Sequence, residues 1–487
     1  MAKTSLPESE LLYEGVWWVP GTPEQKVYGE LSLDPDSGLR LRLKVAEGYA
    51  RVGWKPLKVV HGTDQHGKPV TLFYATCVNS AEQGAVTAIT YSVGYCFHGA
   101  HFLKWSEVVF DEVEVEFTYL QDWIDISGFV PTGHKDGESS VHYRLPDDME
   151  FHCSGAFSLV LAARVTTKSE RGDFKSIRQR WFMRLKYKKL QPFKQIRRDL
   201  MIIRRFLTLG VGKKVAQKSL DLSQSKSDLK FGGKRLRHPI ISHTRRTHLP
   251  EEDQREHGMM MPFSFTRIRA DFEGILRRWF SYQDLVNDPI HLYFSTIENP
   301  HLYSNHIVLF LAQALEVYHR SLPKKFPQDA ESKTAFRQRL QRLTREMSKA
   351  DAKWLRAALA YANQPTLNTR LLQIFEEKRK YLGSFLGDEA KFAERVRHTR
   401  NHFTHWGQTK SKHVVPDEEM FPFIHQLQTV LKVCFLSDIG MPDQIIREAV
   451  KKFSWTVINF TEDDSDEPGE RPDLALPAPV KKGKKQK

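Results

Sequence analysis

The stretch KFAERVRHTRNHFTHWG, from Lys391 to Gly407, is the part of the chain from which the rest is best understood. Apolar and neutral side chains recur in it at steps of four and three residues, which is the spacing of one face of an α-helix. Gly407 follows the last turn and is a residue type that commonly ends helices. The stretch therefore predicts a helix whose buried face consists of Phe392, Val396, Thr399, Phe403 and Trp406.

The opposite face of this helix is rich in side chains that bind phosphates and transfer protons. Solvated helix faces carry mostly Lys and Glu, and such a plain face is the alternative interpretation. Imidazole suits proton transfer near neutral pH, and the guanidinium fork suits phosphate oxygens. The residues on this face are Glu394, Arg397, His398, Arg400, Asn401, His402 and His405.

The sequence RNHFTH, residues 400–405, resembles the R-x(4–6)-H motif of HEPN ribonucleases. More narrowly it resembles the ApeA-like HEPN branch, in which Arg is followed by Asn and a Thr-His pair closes the motif. The resemblance implies that Arg400 and His405 are catalytic and that Asn401 positions the histidine or the scissile phosphate. Arg397 and His402 have the same spacing and form a second possible register, and we expect this pair to bind RNA.

The two catalytic candidates do not share a face of a continuous helix. At about 100° per residue, Arg400 and His405 lie about 140° apart around the axis. Arg397, Asn401 and His405 follow at steps of four and share a face better. Either the helix ends before His405, or residues from two copies of the chain combine. We therefore expect a homodimer formed through the helical domain.

Length and composition predict a multidomain protein. At 487 residues, 40% of them hydrophobic and 27% charged, the chain has material for two or three domains. Its four cysteines show no C-x-x-C pair, so we expect neither a disulfide scaffold nor a zinc finger. The first residues lack an apolar h-region, and no apolar run of about eighteen residues occurs. We therefore expect a cytoplasmic protein that does not contact membranes.

Residues 1–190 are predicted to form a β-rich domain with a sandwich or barrel-like sheet. Alternating runs such as Leu31–Leu43 and Val113–Phe117 are separated by Pro and Gly turn signals, without helical patterns between them. The sequence GVWWVPG, residues 15–21, and the run 113–123 resemble the N-terminal domain that accompanies ApeA-like HEPN domains. We expect the Trp17-Trp18 pair to pack in the core or at an edge rather than to stack on bases.

Positive charge is concentrated in the middle of the chain. The net charge is +14, yet residues 164–237 alone contain 23 Lys and Arg against 5 Asp and Glu. Such a field suits RNA, although a solvated basic region without a partner is the alternative. Residues 191–299 are predicted to be a basic helical linker with a helix over Pro192–Val211 and a mobile loop over 219–261. Four arginines of the helix are expected to bind RNA: Arg197, Arg198, Arg204 and Arg205.

Residues 300–460 are predicted to form an all-α HEPN bundle. Its first helix, Asn305–Arg320, contains Glu316, for which we expect a capping or ion-pair role rather than a catalytic one. Residues 461–487 are rich in proline and charge and lack aromatics, so we expect a disordered tail. The predicted fold class is therefore α+β, with a β-rich N-terminal domain followed by a helical bundle.

The predicted function is that of a metal-independent endoribonuclease. RNA carries its own nucleophile, the 2′-hydroxyl, so a protein needs only to move protons and stabilise a charged phosphorane, and no cofactor is required. The family resemblance implies a 2′,3′-cyclic phosphate product, a site shared across a homodimer, and a role in bacterial antiphage defence through abortive infection. Nothing in the sequence identifies the trigger ligand or phage component.

Two alternative functions remain open. Glu394, His398, His402 and His405 follow helical steps and could hold a metal ion, although one straight helix offers poor tetrahedral geometry. The chain could instead be a non-catalytic module that binds RNA or a nucleotide. Cleavage of labelled RNA by the purified protein distinguishes this module from a nuclease.

Overall fold

The computed structural model describes residues 10–34, 38–46, 55–83, 86–130, 141–170, 174–224, 230–231, 234–235, 240–244, 258–299, 301–405 and 413–462. The strands are β1 (Glu10–Trp18), β2 (Val27–Asp34), β3 (Gly38–Ala46), β4 (Leu57–Asp64), β5 (Pro69–Gln83), β6 (Val86–His98), β7 (Val109–Phe117), β8 (Phe129–Val130), β9 (His142–Tyr143), β10 (Met149–Phe151), β11 (Phe157–Glu170), β12 (Phe174–Pro192), β13 (Gln217–Ser223), β14 (Lys230–Phe231), β15 (Lys234–Arg235) and β16 (Ile240–Thr244). The helices are α1 (Leu120–Ile124), α2 (Phe193–Val211), α3 (Phe265–Ile268), α4 (Phe272–Leu285), α5 (Asn287–Glu298), α6 (Ser304–Ser321), α7 (Lys333–Thr344), α8 (Lys349–Ala358), α9 (Leu367–Leu386), α10 (Glu389–His405), α11 (Met420–Asp438) and α12 (Asp443–Glu462). The α+β class predicted from the sequence is confirmed.

Strands β1 to β6 close into an antiparallel barrel. They are hydrogen-bonded in the order β6-β3-β2-β1-β4-β5, and β5 pairs again with β6. The alternating leucines of β2 and β3 point into its core, as a period of two requires. Trp17 is buried there and donates from Nε1 to the Gly29 carbonyl at 3.0 Å. Trp18 is half-buried, with its ring edge-on to His61 and His101, so core and edge packing of the pair is confirmed.

A second half of the sheet continues from the barrel. Beyond β6 the strands follow as β16, β13, β7, β12, β11 and β10. Strands β13 and β16 belong to the segment 219–261, for which we predicted an irregular, mobile loop. The irregular backbone predicted there is wrong for β13 and β16, whose backbone groups pair with β7 and β6, and the mobility of the segment stays a prediction. Short polar strands without an apolar run do not stand out in a sequence.

The second half of the sheet and the helices share one hydrophobic core, to which Phe73 and Phe97 of the barrel also contribute, whereas the other buried side chains of the barrel form a core of their own. Trp123 of α1 lies 6.2 Å from Phe206 of α2, measured between ring centroids, and Trp279 of α4 donates to the Ile202 carbonyl at 2.9 Å. Helix α2 was predicted over Pro192–Val211, and that helix is confirmed. The bounds between the domains stay predictions.

The bundle packs α6, α9, α10 and α11 around each other, with α5 and α12 at its sides. None of the described helices combines the length and the apolarity needed to cross a lipid bilayer. All four cysteines are free. Residues 463–487 of the predicted disordered tail lie outside the described residues.

Asp438, at the end of α11, joins several helices. Its Oδ2 accepts hydrogen bonds from the hydroxyls of Tyr282 and Tyr318, each at 2.7 Å, and its Oδ1 accepts from Lys325 at 2.7 Å and Lys378 at 2.8 Å. Burial acts to raise the pKa of this carboxyl, but the two lysines outweigh it and hold the pKa below its usual value. The buried carboxylate is therefore charged, and it links α4, α6, α9 and α11.

Candidate functional site

Helix α10 is anchored by the face that its periodicity predicted. Phe392, Val396 and Thr399 are buried against α9 and α6, and Phe403 is partly buried against the same core. Trp406 and Gly407 lie outside the described residues. Because this face is fixed in the bundle, the opposite face of α10 is turned away from it.

Thr399 ties a downstream segment to α10. Its buried Oγ1 accepts a hydrogen bond from the backbone N–H of Val415 at 3.0 Å. This contact brings His413 next to the helix, and its ring stacks on that of His398 with centroids 5.1 Å apart. Sequence reasoning did not single out His413, because no local pattern signals a contact between side chains fifteen positions apart.

His398 is engaged within the protomer. Arg397 donates from Nη2 to Nε2 of His398 at 2.7 Å, so the neutral ring carries its proton on Nδ1. Partial burial, followed by the nearby charges of Arg397 and His413, lowers the pKa of His398 from its ordinary value. His398 is therefore neutral at pH 7.

Arg400 and Asn401 form a hydrogen-bonded pair on α10, whereas His405 is exposed. Arg400 donates from Nη1 to Oδ1 of Asn401 at 3.1 Å, and both side chains are half-buried. The helix continues through His405, which leaves the other of the two alternatives, a combination of residues from two copies. On this continuous helix His405 lies about 140° around the axis from Arg400 and about 180° from the buried Val396. One copy of α10 therefore does not bring Arg400 and His405 together.

The second register has the same angular problem. Arg397 and His402 are also five residues apart, and both side chains are half-buried. Arg397 is bonded to His398, and the His402 ring lies 5.6 Å from that of Phe403. Neither register is tested by these contacts, so both assignments stay predictions.

The alternative metal site gains no support from the geometry. In the described ranges, which include Glu394, His398, His402 and His405, no group of three or more His, Cys, Asp and Glu side chains is placed to hold a metal ion. The Nε2 atom of His398 already accepts the hydrogen bond from Arg397.

The arginines of α2 connect elements of the fold. Arg197 binds the hydroxyl of Tyr95, Arg198 pairs with Asp284 at 2.9 Å, and Arg204 pairs with Glu298 at 2.6 Å. Arg205 is only 3% exposed, and its Nη2 donates to Nδ1 of His291 at 2.9 Å. Arg205 is therefore not accessible to RNA, although we expected it to bind RNA. RNA binding by Arg197, Arg198 and Arg204 stays a prediction.

The basic strands are partly neutralised by acidic residues of β7. Arg184 of β12 pairs with Glu114 at 3.0 Å and lies 3.5 Å from Glu112, and Arg164 of β11 also pairs with Glu114. Glu116 lies 3.8 Å from both Arg180 and Lys218. The local count over residues 164–237 therefore overstates the charge that this region presents, because its acidic partners precede it in sequence.

A buried polar cluster lies between α6 and α9. His319 and Arg370 are almost fully buried, and Arg370 donates from Nη1 to Nδ1 of His319 at 2.8 Å. The Nε2–H of His319 then donates to Oε1 of Gln373 at 2.6 Å. Glu316, one turn earlier on α6, pairs with Arg320 at 2.7 Å, which confirms its predicted ion-pair role.

Two family models match the chain. The model of the ApeA N-terminal domain 1 matches residues 12–279, and that of the Apea-like HEPN domain matches residues 309–445, which include α10. No curated protein and no solved structure matches. HEPN domains as a family are associated with ribonuclease activity. The chain therefore belongs to the ApeA-like HEPN family.

Proposed function

We propose that the protein is a metal-independent endoribonuclease whose active site is built from α10 of two copies. The observation that carries the proposal is the position of His405. It is exposed on a continuous helix, opposite the buried face and one turn beyond the bonded Arg400–Asn401 pair. An imidazole at such a polar surface can exchange protons with a bound substrate.

In the proposed reaction His405 removes the proton from the 2′-hydroxyl of RNA. The freed oxygen forms a bond to the adjacent phosphorus, and the bond from phosphorus to the 5′-oxygen breaks. A protonated histidine returns a proton to that leaving oxygen, giving a 2′,3′-cyclic phosphate and a 5′-hydroxyl. The same His405 that took the first proton can supply the second, so one His405 together with Arg400 of the other copy forms a complete site.

Arg400 supplies the positive charge that this reaction needs. Its planar guanidinium can bind two phosphate oxygens and stabilise the additional charge of the phosphorane. The hydrogen bond from Nη1 to Asn401 orients the group before the substrate binds. Asn401 is therefore a positioning residue for Arg400 in this proposal.

Dimerisation follows from the angular separation within one helix. A two-fold axis beside the exposed face of α10 places Arg400 of one copy near His405 of the other. Light scattering of the active protein is expected to give the mass of a dimer. An active protein that stays monomeric at the assay concentration contradicts a shared site.

The test of the chemistry is cleavage of labelled RNA by the purified protein in EDTA. Wild type is expected to cut RNA to cyclic phosphate ends, and a substrate with a 2′-O-methyl group at the cut is expected to resist. RNA binding without any cleavage supports the non-catalytic module instead. Equal cleavage of RNA and of the 2′-O-methyl substrate rules out the 2′-hydroxyl mechanism.

For the biological role we propose cytoplasmic antiphage defence in bacteria by abortive infection. Family membership supports this role, since a ribonuclease that acts on cellular RNA can halt growth of an infected cell. Cells that express the wild type are expected to restrict phage, and cells with the His405→Ala variant are not. Equal restriction by both would separate the biological role from cleavage.

A further inference from the structure

The helical hairpin formed by α7 and α8 is barely covered by the rest of the bundle. Both helices lie wholly within the described residues, and their only buried side chains are Thr344 and Ala352. Two aromatic residues of the hairpin are among the most exposed in the described chain: Trp354 at 69% and Tyr361 at 77%. Exposed aromatic rings offer faces on which unpaired bases can stack.

Trp354 is surrounded on its helix face by small side chains. Positions 350, 357 and 358 share its helix face, at spacings of four, three and four residues, and all three are exposed alanines. Alanine side chains leave the indole plane accessible from the sides. Tyr361 follows seven residues after Trp354, in the turn just beyond α8.

The same hairpin carries basic side chains that are not neutralised. Residues 331–361 contain eight Lys and Arg against three Asp and Glu. Of these acidic residues, Glu331 is paired with Arg339 at 2.9 Å, and Asp351 accepts from the Ser348 hydroxyl at 2.7 Å. Among the described residues, no ion pair is formed by Lys333, Arg337, Arg342, Arg345, Lys349 or Lys353.

This pattern differs from that of the other basic regions. The arginines of α2 and of β11 and β12 form hydrogen bonds and ion pairs inside the fold. A cation already paired with a carboxylate has to give up that pair before it can neutralise a phosphate, whereas an unpaired cation neutralises the phosphate directly and displaces the counterion bound there. The hairpin therefore offers a stronger surface for a polyanion than the stretch with the largest local charge count.

We propose that the hairpin surface of Trp354, Tyr361 and the surrounding unpaired cations binds single-stranded RNA and holds it for cleavage at α10. This inference rests on the proposed ribonuclease function. Aromatic rings stack on unpaired bases, while cations beside them contact the phosphates, which is how proteins bind single strands without reading their sequence. A duplex hides the faces of its bases, so it is the poorer ligand.

A second copy of the chain is the other candidate occupant of this surface. A symmetric contact would place two hairpins, each with a surplus of positive charge, against each other. The repulsion disfavours that contact, whereas RNA neutralises the same charges. A cleft of about 300 Å³ lies between α7 and the turn that follows α8, lined in part by Phe336, Leu340 and Leu359. An apolar peptide would fill the cleft without needing Trp354 or the cations.

The experiment measures the anisotropy of a fluorescein-labelled single-stranded RNA that is 2′-O-methylated throughout, so that binding is measured without cleavage. Trp354→Ala and Tyr361→Ala are each expected to raise the Kd about tenfold, as the loss of one stacked base predicts. Trp354→Phe is expected to restore most of the affinity, because it keeps an aromatic face. Lys349→Gln with Lys353→Gln is expected to flatten the dependence of log Kd on log salt.

Tyr303→Ala is the matched control, since Tyr303 is 76% exposed but lies at the start of α6, outside the hairpin. Its affinity for RNA is expected to equal that of wild type. If wild type cuts RNA but the hairpin variants bind as tightly as wild type, the hairpin proposal is wrong and the nuclease proposal stands. If wild type neither binds nor cuts RNA, both fail. Dissociation of a dimer by Trp354→Ala, with RNA affinity unchanged, identifies a contact between copies and overturns the proposal.

Discussion

At the scale of single residues, the two possible catalytic pairs, Arg400 with His405 and Arg397 with His402, differ in the exposure of their histidines. His405→Ala is expected to reduce RNA cleavage about 10²- to 10⁴-fold, the usual contribution of one acid–base group. His402→Ala is expected to reduce it less, because that ring is partly packed beside Phe403. Initial rates on one labelled RNA compare the two variants. An inactive His402→Ala protein together with an active His405→Ala protein would assign catalysis to the pair Arg397 and His402.

Loss of the His405 side chain is expected to reduce activity without reducing the stability of the fold. Its side chain is exposed, so its removal is expected to change the free energy of unfolding by no more than about 0.5 kcal/mol. Urea denaturation of the same variant checks that its lost activity is not caused by unfolding.

Thr399 is expected to matter for the stability of the site. Thr399→Val keeps the shape of the side chain but removes the acceptor of the buried Val415 N–H, at an expected cost of about 1–3 kcal/mol. The midpoint of urea unfolding measures that loss. Thr404→Val is the matched control, because Thr404 is exposed and its Oγ1 contacts only the Arg400 carbonyl of its own helix. Equal stability of both variants would show that the contact with Val415 contributes nothing.

His425 of α11 gives the protein a predictable response to acid. Burial, and then the charge of Lys432, lowers the pKa of His425 to about 4, whereas an unfolded histidine titrates near its ordinary value of 6.5. Below pH 6.5 the unfolded chain binds this proton more readily than the folded chain, so stability falls as pH falls towards 4. The loss between pH 8 and pH 5 is expected to be about 2 kcal/mol. Urea unfolding of His425→Gln at both pH values should show this loss reduced.

The motif residues were predictable from the sequence because they lie within one helix. A helical period and a known motif suffice to place Arg400, Asn401 and His405 on α10. The stack of His413 on His398 was not predictable, because it depends on how the chain returns after the helix. The same holds for Arg205, whose burial depends on its contacts with His291 and Phe294 of α5, far away in sequence.

At the scale of elements, Asp438 is the residue whose loss is expected to disturb most helices at once. Asp438→Ala leaves the buried Lys378 without its main partner and removes the acceptor of two tyrosine hydroxyls. Removing one partner of a buried ion pair costs about 3–5 kcal/mol. Thermal unfolding followed by circular dichroism measures the effect.

Asp443→Ala provides the control for that prediction. Asp443 also contacts a lysine and a tyrosine, Lys380 at 3.0 Å and Tyr381 at 2.5 Å, but it is exposed. Exposed pairs contribute about 0–1 kcal/mol, so this variant is expected to unfold close to wild type. Similar losses in both variants would contradict the special role of burial at Asp438.

The elements themselves were predicted unevenly. Helices with a long apolar period, such as α2, α6 and α10, could be read directly from the sequence. The closure of the barrel by β5 and β6 could not, because strand order depends on pairings that leave no local pattern. Glu112 and Glu114 alternate with the apolar residues of β7, yet both are buried and pair with arginines of β11 and β12, which the local pattern of β7 does not reveal.

At the scale of the whole molecule, a site shared by two copies predicts complementation. Arg400→Ala and His405→Ala proteins are each expected to be inactive alone. When they are mixed and allowed to exchange subunits, about half of the dimers are mixed, and each mixed dimer has one of its two arrangements intact. The mixture is therefore expected to recover about a quarter of the wild-type rate. No recovery, with exchange shown by mass, means that both residues act within one copy.

The boundary between the two hydrophobic cores also limits how this protein can evolve by exchange of parts. The barrel of β1 to β6 has a core of its own, whereas the later strands are packed with the helices. A gene fusion that joins a foreign sensor at residue 190 would cut through the larger core and leave β11 and β12 without the helices that cover them. A fusion after β6 would keep most of that core but would lose Phe73 and Phe97, which β5 and β6 contribute to it, together with the pairing of β6 with β16. Shuffling is therefore expected to replace the barrel as one unit and to inherit the remaining strands together with the HEPN bundle.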